Sequence, residues 1–276
     1  MYTTLIDIDS LLDSYDKPDW LIFDARYDLA DKQAGKNAYL DAHIPGAIYV
    51  DLHDDLSRPP GTNKGRHPLP TDEVINDLFS ELGIKPESQV IIYDNAFGAF
   101  AARMWWMLKH MQHENAAVLE GGWQAWQNAN APVDTKDEKS EGSQFHKSSI
   151  KQDVISISQV ENAALLIDSR EPPRYRGESE PIDRAAGHIP GAINRFWKEN
   201  LTENGNFKEK TQLKDEFEQI FGNTPAGESV FYCGSGVTAC HNLLAAAHAG
   251  LTLPKLYAGS WSEWSSDPAN PVATTD

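Results

Sequence analysis

The sequence predicts an α/β protein of two tandem duplicated domains, each a mainly parallel sheet with helices on both faces. Three observations predict it. The peptide His-Ile-Pro-Gly-Ala occurs twice, at 43–47 and 188–192. Each copy sits in a matching frame: Asp24-Ala25-Arg26 and Asp168-Ser169-Arg170 lead the two copies, and Gly122-Trp123 with Trp126 answers Ser260-Trp261 with Trp264. Within each repeat, short apolar runs alternate with helical stretches, the pattern of buried parallel strands joined by helices.

The elements follow in order. Trp20-Leu21-Ile22-Phe23, ending at Asp24, reads as a buried strand. Thr71-Asp72-Glu73 opens a helix through Phe79, and Gly83 stops it. Val90-Ile91-Ile92-Tyr93 is a second strand, 99–110 a helix carrying Trp105 and Trp106, and Ala116-Ala117-Val118-Leu119 a further strand. Gly121-Gly122 precedes a short helix around 123–127. Residues 131–152 turn polar and charged, so the expected layout is a domain at 1–130, a linker at 131–152 and a domain at 153–276. The second domain repeats the order: strand 164–167, helix 213–221, strand 230–232, an alanine-rich helix over about 238–249 and strand 255–257. Trp105, Trp106, Trp261 and Trp264 read as core and interdomain packing.

Bulk properties narrow the function. The 276 residues are 40% hydrophobic and 24% charged, suiting two soluble domains of ordinary size. The net charge of −17 disfavours nucleic-acid partners, though a local arginine cluster can still hold a small anion. No apolar run is long enough to span a bilayer, and the first residues lack the basic start and apolar stretch of a signal peptide. With only two cysteines, a reducing, cytoplasmic setting is expected, with no membrane partner.

The two repeats differ at one place. The strand ending at Tyr93 runs into Asp94, whereas the one ending at Tyr232 runs into Cys233-Gly234-Ser235-Gly236-Val237-Thr238. Gly234 and Gly236 free the backbone to turn with its N–H groups facing one cavity, and the helix that follows adds its positive end. A thiol held there is expected to be largely thiolate and nucleophilic. The loop also fits the dinucleotide pattern G-x-G-x-x-A, but no acidic residue occurs from Cys240 to Ser262 to hold a ribose. A cysteine phosphatase would close such a loop with arginine, and Ala239 stands there.

Cys240, two helical turns beyond Cys233, has neither metal nor redox spacing and reads as structural. The Asp-x-Arg pairs and the repeated histidines, His43 and His188, occur in both copies and so read as structural too. Arg174, Arg176 and Arg184 occur in the second copy only, where a guanidinium fork could hold a substrate carboxylate or sulfonate-like group. His67, in Gly65-Arg66-His67-Pro68, could reach the cleft between the domains.

The duplicated Asp-x-Arg and His-Ile-Pro-Gly-Ala peptides, with the cysteine loop, resemble the two-domain rhodanese-type sulfurtransferases over essentially the whole chain. The resemblance implies two rhodanese-like domains, the first inactive. In the second, Cys233 would take a sulfane sulfur, hold it as a persulfide and pass it to cyanide or a thiol, with a thioredoxin-like reductant among the candidate partners. Backbone N–H groups from Gly234 through Gly236 and Val237 to Thr238 would stabilise the anionic sulfur. No cofactor or metal is implied. Thiosulfate-using members carry cationic side chains after the cysteine. Gly234 and Ser235 instead resemble the 3-mercaptopyruvate-using members, in which Ser235 would polarise or protonate the donor with help from His67. Arg174 matches the first carboxylate-binding arginine. The second aligns with Ile182, leaving Arg184 as the nearby substitute, and the acidic partner of the histidine aligns near His53, beside Asp54 and Asp55. The loop 57–64 is longer than in that subgroup. The expected activity is 3-mercaptopyruvate sulfurtransferase. The alternatives are thiosulfate:cyanide sulfurtransferase through the same cysteine, and a protein-to-protein sulfur carrier.

Overall fold

A computed structural model of the chain describes residues 1–61, 65–150 and 152–274. They form two compact units: Met1–Leu56 with Pro70–Ile150, and Ser57–Leu69 with the chain from 152 onward.

The first unit is built on five parallel strands, β1 (Leu5–Ile6), β2 (Trp20–Asp24), β3 (Ile48–Tyr49), β4 (Gln89–Tyr93) and β5 (Ala116–Leu119), in the order β1-β5-β4-β2-β3. The second has β6 (Leu165–Asp168), β7 (Ile193–Asn194), β8 (Ser229–Tyr232) and β9 (Lys255–Leu256), also parallel, in the order β7-β6-β8-β9. The two orders superimpose: β2 and β6, β3 and β7, β4 and β8, β5 and β9 correspond. Register agrees as well, since Asp24 pairs with Tyr93 as Asp168 pairs with Tyr232. Where β1 lies beside β5, the second unit has a single parallel bridge, Val154 to Leu256.

The central strands are apolar along their length because helices cover them. All of β4 and β8 is buried. Helix Ala101–His110 packs on β4 and β5 and contributes fully buried Trp105 and Trp106. Helix Ala239–His248 packs on β8, and its run of alanines allows close approach. Trp123 and Trp126 in one unit, and Trp261 and Trp264 in the other, lie in the hydrophobic cores of their own units.

The Asp-x-Arg pairs close each core at the carboxyl ends of the strands. Arg26 Nη2 lies 2.6 Å from Asp24 Oδ2, and Arg170 Nη2 lies 2.6 Å from Asp168 Oδ2, all four side chains being buried. Each guanidinium also lies over a tryptophan, Arg26 at 4.5 Å from the Trp123 ring and Arg170 at 4.6 Å from Trp261. The repeated histidines stack on tyrosines of the preceding helices, His43 on Tyr39 and His188 on Tyr175, with Nδ1 of each against that tyrosine's carbonyl oxygen.

The segment read as a linker lies along the first unit as far as Ile150. Asp134 bridges to His43, matching the bridge of Ala273 to His188 in the second unit. Beyond it, Phe145 is buried edge-on to Phe79, Lys147 N–H donates to Asn76 Oδ1, and Ile150 N–H donates to the His110 carbonyl. Polar composition alone concealed this, because the segment satisfies its backbone groups against side chains far away in sequence. No helix among the described residues is long and apolar enough to cross a membrane.

Arg26→Ala should lower the stability of the first unit by about 3–5 kcal/mol in urea denaturation, because it leaves the buried Asp24 charge uncompensated. A second test uses pH. Burial first, and then the Lys210 charge, push His248 down to about 4. His248 is therefore neutral when folded and protonates near 6.5 when unfolded, so its contribution is complete above about pH 6.5 and is lost as pH falls toward 4. His248→Gln should flatten the stability profile across that window.

Candidate active site

Cys233 follows the last residue of β8 directly, at the carboxyl end of the parallel strands where open α/β sheets bind ligands. Its side chain is buried, and the Gly236 N–H donates to its Sγ at 3.1 Å. Gly236 has φ +77°, and a Cβ there would collide with the Ala258 carbonyl oxygen, so the turn that aims this N–H requires glycine. Val237 and Thr238 accept the N–H groups of Cys240 and His241 and so lead into helix Ala239–His248. Cys240 Sγ donates to the Gly236 carbonyl at 3.3 Å, holding the turn from the helix side.

The segment around helix Ser260–Trp264 anchors the loop from its other side. Cys233 N–H donates to Ser260 Oγ, while the N–H groups of Trp261 and Ser262 donate to the carbonyls of Cys233 and Gly234. Ser262 also receives the N–H of Arg66 on its Oγ at 3.1 Å. This contact, with Gly65 at φ +78° packed against Gly259, docks residues 65–67 beside the cysteine loop. His67 Nδ1 then lies 2.8 Å from Ser235 Oγ, both residues being buried.

Arg174 reaches the site from the short helix Pro172–Arg176. A Cβ placed on Gly234 would stand 3.7 Å from both of its terminal nitrogens and 2.9 Å from Arg66 Nη2. Carboxylates hold these forks in place. Glu180 accepts from Arg174 Nε and Nη2, and from Arg170 Nη1, while Asp183 pairs with both Arg174 and Arg66. Burial lowers the proton affinity of Arg66 and the neighbouring Arg174 charge adds to this, whereas the Cys233 charge opposes it.

Arg184 is placed differently. Its Nε donates to the Ser265 carbonyl at 2.6 Å, and it is exposed on the wall of a cavity of about 280 Å³ that Arg66, Asp183 and Ser262 also line. Arg176 pairs with Glu178 and points to neither Gly234 nor Cys233 among its hydrogen bonds. Ile182 is half exposed. Near the expected acidic position, His53 and Asp54 give their N–H groups to Asp51, and Asp55 accepts the Asp51 N–H. Of the long loop 57–64, residues 62–64 lie outside the described residues.

Sequence reading missed Arg66, Glu180, Asp183 and Ser260. For Arg66 a signal existed, its place next to His67; the other three gave none, since they join the site only through the fold.

The first unit shows what the same loop does without a thiol. Asp94 is fully buried after β4, and its carboxylate accepts four backbone N–H groups, from Ala96, Gly98, Phe100 and Ala101, at 2.8–2.9 Å. The chain thus fills this anion cradle with its own side chain. Burial pushes the Asp94 carboxyl up against the opposing effect of those donors.

Two units of one topology, with a carboxylate at the strand end in one and a thiol in the other, define a tandem rhodanese-fold protein. The rhodanese-like domain family matches residues 7–129 and 152–267. The chain belongs to this family of sulfurtransferase enzymes. It is 43% identical, over 94% of both chains, to a probable 3-mercaptopyruvate sulfurtransferase from Pseudomonas aeruginosa. It is 36% identical to a putative thiosulfate sulfurtransferase from Mycobacterium tuberculosis, over 91% of this chain and 89% of the relative. Among solved structures, 3-mercaptopyruvate sulfurtransferase from Leishmania major superimposes with a TM-score of 0.84 at 30% identity, over 95% of this chain and 74% of that one.

Asp94→Ala should destabilise the first unit by at least about 3 kcal/mol in urea denaturation, since it orphans four backbone donors, two buried and two partly buried. A shift of only a few tenths would mean that water replaces the carboxylate.

Proposed function

We propose that the protein is a 3-mercaptopyruvate sulfurtransferase that works through a persulfide on Cys233. The observation that carries this reading is the buried His67–Ser235 pair, held beside a cysteine loop with no cationic side chain of its own. A ketone-bearing donor needs such a pair, whereas an inorganic dianion needs only positive charge.

The Cys233 thiolate attacks the donor sulfur. The S–S bond forms as the C–S bond breaks, and the electron pair passes to the adjacent carbon as an enolate. Ser235 Oγ–H donates to the ketone oxygen, on which charge grows, and His67 sustains that hydrogen bond. The proton lost by the donor sulfur ends on carbon, releasing pyruvate. An acceptor thiolate or cyanide then attacks the outer sulfur and frees the Cys233 thiolate. The Gly236 N–H supports sulfur's negative charge in both steps. Neither step draws on a metal or organic cofactor. The acceptor is a small thiol, cyanide or a thioredoxin-like reductant, and turnover through a free thiolate suits the reducing cytoplasm.

One observation favours thiosulfate as donor instead. Arg66 and Arg174 both approach Gly234 and could supply the cations that the loop lacks. Steady-state kcat/KM with each donor, at a common cyanide concentration, separates the two readings. A preference for mercaptopyruvate is expected, with Ser235→Ala lowering kcat/KM for that donor roughly 10²-fold and that for thiosulfate far less. A wild-type preference for thiosulfate would refute the donor assignment. Cys233→Ser should abolish both activities, and Cys240→Ser should retain most of each.

A further inference from the structure

We propose that Arg66 is the second carboxylate-binding residue of the donor site and acts beside Arg174; this rests on the mercaptopyruvate reading above. The sequence resemblance implies a second arginine at Ile182, which is half exposed and apolar, and the Nε of nearby Arg184 is committed to a backbone carbonyl. The fold makes up the deficit from another part of the chain. Residues 65–67 dock on Ser262 and Gly259, and Ser262 itself donates to the Gly234 carbonyl, so the position of Arg66 is tied to the cysteine loop. Its Nη2 is the atom that approaches Gly234, and any side chain at 234 would meet it. Glycine after the cysteine is therefore the space that admits a guanidinium from outside the loop.

The two guanidinium groups carry like charge and repel one another. Asp183 lies between them, pairing with Arg66 Nη1 and with Arg174 Nη2, while Glu180 braces Arg174. Asp183 is almost completely buried and Arg174 nearly so, whereas Arg66 keeps about a third of its side chain open, so this fork is fixed at one nitrogen and accessible elsewhere. Two forks held so close match a planar carboxylate, which accepts on both oxygens.

The test compares alkylation of Cys233 by iodoacetate and by iodoacetamide in the wild type, Arg66→Ala and Arg66→Lys. In both reactions the thiolate forms an S–C bond as iodide leaves, and the reagents differ only in carboxylate against neutral amide. Arg66→Ala is expected to lower the iodoacetate-to-iodoacetamide rate ratio about tenfold or more, beyond any slowing that the two reagents share. Arg66→Lys should recover part of that ratio. The KM for mercaptopyruvate should rise in parallel. An unchanged ratio, or equal loss with both reagents, would overturn the proposal, the second because it marks a general disturbance of the loop. Selective loss of thiosulfate turnover at an unchanged ratio would overturn it in favour of a sulfonate site. A wild type that ignores mercaptopyruvate refutes the donor assignment alone, and the alkylation ratio then still decides Arg66.

Discussion

The buried Asp–Arg pair at the end of the first long strand organises each unit. Asp24 and Asp168 are the last residues of β2 and β6, where a chain leaving the sheet needs its direction fixed. Each arginine bends back onto its aspartate, lies over a tryptophan of the last helix, and donates to carbonyls at or before the His-Ile-Pro-Gly-Ala turn: Arg26 to Ala38 and Ala42, Arg170 to Gly187. A neighbouring tyrosine, Tyr93 or Tyr232, completes the cluster against the same carboxylate. Strand end, turn and final helix are thereby locked together. Beside this corner the next strand delivers Asp94 or Cys233.

Duplication makes the chemistry of that position visible. The turn after the strand gathers backbone N–H groups, which favour negative charge whatever atom carries it. In the first unit a carboxylate takes four of them and closes the cradle. In the second, a single sulfur at the same place receives the Gly236 N–H. In the proposed mechanism, a short side chain that ends in one large polarisable atom leaves a cradle that the transferred sulfur can share.

In the proposed mechanism, donor recognition draws on chain segments remote from the loop. His67 and Arg66 come from residues 57–69, which interrupt the first unit in sequence yet pack with the second. Arg174, Glu180 and Asp183 come from the stretch after β6. The loop carries Cys233 and Ser235, and long-range docking brings the arginines and the histidine beside it.

The sequence by itself determined the duplication, the parallel strands, the structural role of the repeated motifs and the position of the thiol. These are legible because they are local: strand burial shows as an apolar run, a turn as glycine, and a duplicated corner as a repeated peptide. The two-residue strands β1, β3 and β7 passed unseen, having too few residues to show a period. Only the tertiary structure decided that 131–150 belongs to the first unit and 57–69 to the second, and that Arg66 rather than Arg184 faces Gly234. Each of these depends on hydrogen bonds between residues far apart in the chain, such as Arg66 to Ser262. Composition and spacing carry no record of such a bond, because either partner alone looks like an ordinary surface polar residue.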